Sequence, residues 1–314
     1  MVEQSKQFRR KSRGRKEKSQ KFLRQQYRSD IDIEAEDKAL RDAFIWFDPE
    51  HLAELEFDEP VAAGEIDEEL EQGPDIWSEL PTIPVDLNVL ERNLIITARR
   101  QNPSHAAFAV LRGRLFQTLM EKGWKRVAIT SPTRDCGKSF VSVNLAIALS
   151  RYENCRTVLM DLDMRNPSIS RLVGEAHPGS IGDYLRGLTP LQDHFFRFAE
   201  NDLNIGGNLT IAMNDKVEQY ASELLQEPAT AECLAVMERA LKPTVILFDL
   251  PPALAHDDVM AFRDNFDAVL VVIDGTRTHA AQVREVMRRL GEDCPLLGVV
   301  MNKAEDATGE EYGY

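Results

Sequence analysis

The sequence lacks apolar runs long enough to cross a bilayer. Runs such as 244–250 and 268–273 last seven and six residues before a charge or turn signal, against roughly 20 for a spanning helix. They read as buried strands. The basic N-terminus has no apolar stretch followed by small residues, so no secretory leader is expected. Cysteine is scarce, and Cys136, Cys155, Cys233 and Cys294 form no Cys-x-x-Cys pair and have no histidine at a metal-ligand spacing. That pattern argues against a zinc or iron–sulfur framework and predicts free thiols in a reducing, cytoplasmic compartment. With 314 residues and 43% hydrophobic content, the chain can bury one large α/β core or two small ones.

The formal charge of -14 is unevenly spread. Residues 1–28 are basic (Arg9, Arg10, Lys11, Arg13, Arg15, Lys16, Lys18), and residues 29–80 carry most of the acidic excess in clusters such as 32–37 and 67–71. Like-charge runs resist collapse, so residues 1–90 are expected to form a charged, largely disordered extension. The basic arm can stay solvated, touch an anionic membrane leaflet or fold back on the acidic block. Within the extension, residues 40–57 hold Phe44, Trp46, Phe47, Leu52 and Leu55, too apolar for a linker and suited to a docking helix. The remaining domain, 91–304, is mildly acidic and offers no basic stripe, so nucleic acid is not an expected partner.

Beyond Pro81 short apolar runs alternate with helix-like segments. Strands are predicted at 126–130, 157–161, 208–212, 244–249, 268–273 and 296–301. Strands buried on both faces and separated by helices imply a doubly wound, mostly parallel sheet, because parallel neighbours need crossover helices to cover the faces. Ligands in such sheets bind at the carboxyl ends of the strands.

The first of these strands runs into Ser131-Pro-Thr-Arg-Asp-Cys-Gly-Lys-Ser139 and then into an apolar helix. Strand, loop and helix in this order form a phosphate-binding P-loop, which makes the fold class α/β of the P-loop NTPase type. Backbone N–H groups of the loop and the helix start can surround phosphate oxygens, Lys138 can reach the β- and γ-phosphates, and Ser139 can ligate Mg²⁺. The loop residues Asp135, Cys136, Gly137 and Phe140 complete the expected ATP contact. Pro132 stands where the strict pattern has its first glycine. Cys136 reads as a small filler, or as a thiol with a lowered pKa at a helix start.

The second strand ends in Asp161-Leu-Asp163, two carboxylates pointing to one side at period-two spacing, and the fourth ends in Asp249-Leu-Pro-Pro. An acid at a strand end can be a mere turn former. Three acids at carboxyl ends of apolar strands instead suit a Mg²⁺ site beside the P-loop, with Asp249 where a Mg²⁺-organising aspartate belongs.

The order of P-loop, Val-Leu-Met-Asp-Leu-Asp-Met-Arg-Asn-Pro and Phe-Asp-Leu-Pro-Pro resembles the bacterial tyrosine kinases of capsule and exopolysaccharide systems. The likeness extends through 178–187, 221–225, 267–276 and 297–302, about residues 100 to 304. It implies an ATP- and Mg²⁺-dependent kinase with Lys138, Asp161 and Asp163 as catalytic residues. Asp161 would accept the tyrosine proton, Ser139, Asp161 and Asp249 would hold the metal, and Asn302 would touch adenine. Arg165 either neutralises phosphate charge or pairs with a neighbouring acid. The tail 305–314 resembles a short version of the tyrosine-rich segment that these kinases phosphorylate, which makes Tyr312 and Tyr314 the acceptors.

The chain departs from the family at 106–114, where the Glu-x-x-Arg-x-x-Arg ring-forming pattern keeps only Arg112. A homo-oligomer is compatible with that sequence, and ring assembly is not assured. The resemblance also implies a separate membrane-embedded chain-length protein as activator, which would hold the kinase at the inner face of the membrane. Two other classes fit parts of the sequence. A partitioning ATPase shares the fold but carries a second loop lysine that is missing here, and a nucleotide-sensing regulator would bind ATP without transferring phosphate.

Overall fold

The structure, a computed structural model, describes residues 76–95, 103–203 and 205–304. The charged extension up to residue 75, its segment 40–57 and the tail bearing Tyr312 and Tyr314 lie outside the described residues. Eight strands form one sheet: β1 (Thr82–Ile83), β2 (Arg126–Thr130), β3 (Thr157–Asp161), β4 (Phe195–Phe198), β5 (Leu209–Ala212), β6 (Val245–Asp249), β7 (Ala268–Asp274) and β8 (Leu296–Asn302). Their order is β1-β4-β5-β3-β6-β2-β7-β8. Every neighbouring pair is parallel except β4 with β5.

The six apolar runs are all strands, each bound within one residue of expectation. β1 and β4 were not expected. β4 reads Phe-Phe-Arg-Phe with a half-buried centre and begins directly after a helical turn, Leu191–His194, so neither a continuous apolar run nor a turn signal announces it. β1 has two residues. It lies before residue 90, and the helix Leu87–Arg92 runs across that position, so the sheet takes in residues that composition assigned to the charged extension.

Strand periodicity divides the core in two. Val127, Ile129, Leu159 and Leu247 face one side, packing with α1 (Pro103–Lys122) and α2 (Lys138–Leu149) through Leu111, Leu115, Leu119, Val141 and Leu145. Ala128, Val158, Met160 and Phe248 face the other, against α3 (Pro228–Leu241) and α4 (Ala280–Leu290). The three- and four-residue spacing of Phe108, Leu111, Leu115 and Leu119 gives α1 its single apolar stripe. α2 is buried almost all round because it lies between the sheet and α1. Among the described residues no helix is long and apolar enough to cross a membrane.

One topological fact builds the site. β6 lies between β2 and β3, so the acid that ends β6 stands between the loop after β2 and the acids after β3.

Candidate active site

The loop 131–139 leaves β2 and enters α2 through Gly137, which has a left-handed φ of 89° and gives the helix no side-chain cap. The first N–H groups of α2 are thus left for a ligand, and the helix dipole favours an anion there. A Cβ at position 137 would run into the Asn302 amide, so only glycine fits. Within the loop positive φ occurs at Asp135 and Gly137. Pro132 is tolerated because its position requires no left-handed backbone.

Lys138 Nζ lies 2.7 Å from Asp163 Oδ2 and 3.6 Å from Asp249 Oδ2. Ser139 Oγ donates to Asp249 Oδ2 at 2.6 Å, and Ser142 Oγ donates to Asp249 Oδ1 at 3.0 Å. Asp161 is paired in register with Asp249 across β3 and β6. Its Oδ2 accepts the N–H groups of Ser168 and Ile169 at 3.1 and 3.0 Å, while Oδ1 is buried with no hydrogen-bond partner. Burial, then the facing Asp249, push the Asp161 carboxyl up to about 8. Asp249 is also raised, first by burial. Burial alone would lower Lys138, but Asp249 and Asp163 outweigh it and hold the ammonium above its ordinary range.

These residues fit a magnesium-bound nucleotide. Two fully buried carboxylates oppose each other in register, one oxygen lacks a partner, and a serine hydroxyl stands beside them. No group of three His, Cys, Asp or Glu able to enclose a metal occurs among the described residues. Mg²⁺ takes one or two carboxylates and completes its shell with water and substrate phosphates.

Lys138, Ser139, Asp163, Arg165 and His256 line a cleft of about 250 Å³ at the carboxyl end of the sheet, along with Asp135, Gly137 and Phe140. The structure therefore brings together Lys138, Asp161 and Asp249. Asp161 and Asp249 stand fully buried behind the cleft, and Asp163 is the acid that reaches it. Phe140 packs edge-on to Phe108 at 5.9 Å. Cys136 is buried, 3.6 Å from the Thr133 hydroxyl, as a filler would be. Asn302 gives its amide to the Cys136 carbonyl at 2.9 Å. Arg165 pairs with Asp258 through Nε at 2.7 Å and a second nitrogen at 3.0 Å, and it also lines the cleft. Sequence reasoning missed Asp258, His256 and Ser142. Ser142 alone carried a signal, lying three residues after Ser139 on the same helix face.

The family profile of the CobQ/CobB/MinD/ParA nucleotide-binding domain matches residues 127–312. The chain belongs to that family. It is 29% identical over 231 residues to the protein named tyrosine-protein kinase EpsB of Ralstonia solanacearum, covering 73% of this chain and 30% of EpsB. It thus spans about a third of the length of that relative. It is 24% identical over 226 residues to tyrosine-protein kinase YwqD of Bacillus subtilis, covering 72% of this chain and 92% of YwqD. Among solved structures it resembles the VpsO kinase domain at TM-score 0.56 and 27% identity, covering 68% of this chain and 98% of that domain. The resemblance to the bacterial tyrosine kinases is borne out by these relatives.

Proposed function

We propose that the chain is an ATP-dependent protein-tyrosine kinase that phosphorylates copies of itself and regulates exopolysaccharide or capsule synthesis and export. The carrying observation is the convergence of Lys138, Ser139, Asp163 and Asp249 around the uncapped start of α2. The names of EpsB and YwqD support the reading.

Phosphoryl transfer passes through a loose transition state, so the protein contributes mostly position and charge. Loop amides and Lys138 would hold the phosphates, and Ser139, Asp249 and Asp161 would hold Mg²⁺. The bound ion would neutralise charge on the transferring group. Lys138 pairs with Asp163 in the observed arrangement; swinging its ammonium to phosphate oxygens frees that carboxylate. The proton of the tyrosine hydroxyl, assigned from sequence to Asp161, is better assigned to Asp163, because Asp161 is sealed behind the cleft. Asn302 contacts adenine, Tyr312 and Tyr314 are acceptors, and a membrane-embedded chain-length protein activates the kinase at the membrane face.

The test is incubation of the purified full chain with ATP and Mg²⁺, with and without such a membrane protein, followed by phosphotyrosine detection. Phosphotyrosine that disappears in Lys138→Met supports the reading. None under either condition points to a non-catalytic regulator, and ATP-dependent dimers with steady hydrolysis point to the partitioning class.

A further inference from the structure

Lys303 and Asp274 take no part in the chemistry above, yet Lys303 touches the phosphate loop and Asp274 holds Lys303. β7 and β8 are parallel neighbours whose ladder ends with Asp274 opposite Asn302, and Lys303 is the next residue. Asp274 Oδ1 accepts the Thr276 N–H at 2.9 Å and the Thr276 hydroxyl at 2.6 Å, and its own N–H donates to the Thr278 hydroxyl at 2.9 Å. Asp274 Oδ2 lies 3.3 Å from Lys303 Nζ. The Thr276 hydrogen bonds, with help from Lys303, hold the Asp274 carboxyl down to about 2, so it is a permanent anchor for the lysine. The Lys303 ammonium also donates to the carbonyl of Asp135.

Asp135 is the loop residue that adopts a left-handed φ of 64° without being glycine. L-residues with a side chain disfavour that region, and they keep it where the surroundings hold them there. Here the holding groups are visible. Lys303 takes the carbonyl of Asp135, and Asn302 takes that of Cys136 at 2.9 Å. In a trans peptide the N–H of the next residue points opposite to the carbonyl. Fixing these two carbonyls therefore turns the N–H groups of Cys136 and Gly137 away from Lys303 and Asn302. Neither of those residues lines the cleft, whereas Gly137 does.

We propose that Lys303, anchored by Asp274, is a positioning residue that sets nucleotide affinity by holding the tip of the phosphate loop with its amides aimed at the phosphates. The role rests on the cleft being the nucleotide site. It also holds the left-handed backbone of Asp135, a conformation that a residue with a side chain disfavours.

The experiment measures the dissociation constant of Mg-ATP by calorimetry on the full chain, with melting temperatures alongside. Lys303 is half exposed, so the expected effect is that of a screened charged hydrogen bond: Lys303→Met weakens ATP about 5- to 10-fold. Lys303→Arg, which keeps the charge and donors, stays within about 2-fold of wild type, and the melting temperatures stay within about 2 °C. Asp274→Asn weakens ATP about 3-fold, and adding it to Lys303→Met costs little more, as members of one network do. An unchanged ATP affinity in Lys303→Met overturns the proposal. So does a loss that tracks a lowered melting temperature and is not restored by arginine. Absence of ATP binding by the wild type overturns the nucleotide reading itself, and Lys138→Met binding worse than wild type upholds that reading independently of Lys303.

Discussion

Asp161 and His194 are both buried ionisable groups, and burial pushes each toward its neutral form. Asp161 is raised to about 8, first by burial and then by Asp249. His194 is lowered to about 4, chiefly by burial. Their surroundings differ. Asp161 ends a strand among Asp249, Asp163 and Lys138. His194 stacks on Tyr184 at 5.6 Å and meets Phe195 edge-on at 6.2 Å, with its Nε2 buried and unbonded. A shifted pKa therefore does not by itself mark a functional group. Convergence of several charges on one opening does, because that arrangement costs stability unless a ligand compensates it.

The comparison breaks most visibly through activity. Lys138→Met removes the cation shared by Asp163 and Asp249, and tyrosine phosphorylation should fall about 100-fold or more, as for loss of a charge-stabilising donor; phosphotyrosine formed per minute reads this. Asp161→Asn should lower phosphorylation by a similar factor and yet stabilise the ligand-free protein. The asparagine keeps an acceptor for Ser168 and Ile169, gives the unbonded oxygen's place to a donor and ends the opposition to Asp249. The pH dependence fixes the sign. A carboxyl raised in the fold contributes its stability in full below its unfolded value, near 3.8, and loses it as pH rises through about 8. Wild-type melting temperatures should therefore decline from pH 5 to pH 8 more steeply than those of Asp161→Asn. Parallel curves would show that the acid pair is not strained.

His194 predicts the opposite slope. Its folded pKa is depressed, so its contribution is present above the unfolded value of 6.5 and is lost as pH falls toward about 4. A shift from 6.5 to about 4 corresponds to roughly 3 kcal/mol. Denaturant unfolding between pH 7 and pH 4 should show that loss in wild type, and His194→Phe, which keeps the ring contacts, should flatten it.

The charged end was the more legible of the two in sequence. Asp161 and Asp249 each close an apolar run, Asp163 follows two residues on, and Lys138 and Ser139 stand between an apolar strand and an apolar helix; a strand buried on both faces announces both its own end and the acid placed there. The middle position of β6 was not legible, because strand order is set by crossovers that leave no local mark. For the same reason Asp258 and His256, which reach the site from the segment after β6, carried no signal. The aromatic cluster was silent because β4 is short, interrupted by Arg197 and antiparallel to β5.

The smallest expected effect concerns the far end of α2. Its first turn is left open for a ligand, whereas its last turn is closed by Arg112, which donates to the Ala148 carbonyl at 3.2 Å and lies 4.3 Å above the Tyr152 ring. A cation at a helix C-terminus satisfies a carbonyl and complements the dipole, and the ring adds a cation–π contact. Arg112 is also the arginine kept from the ring-forming pattern, so its internal bonds compete with any role between subunits. Arg112→Ala should cost about 1 to 2 kcal/mol of stability through the lost hydrogen bond and stacking, with oligomeric state by light scattering unchanged and phosphorylation within about twofold. If stability held while the oligomeric state shifted, Arg112 would belong to a subunit contact and the closed end of α2 would owe nothing to it.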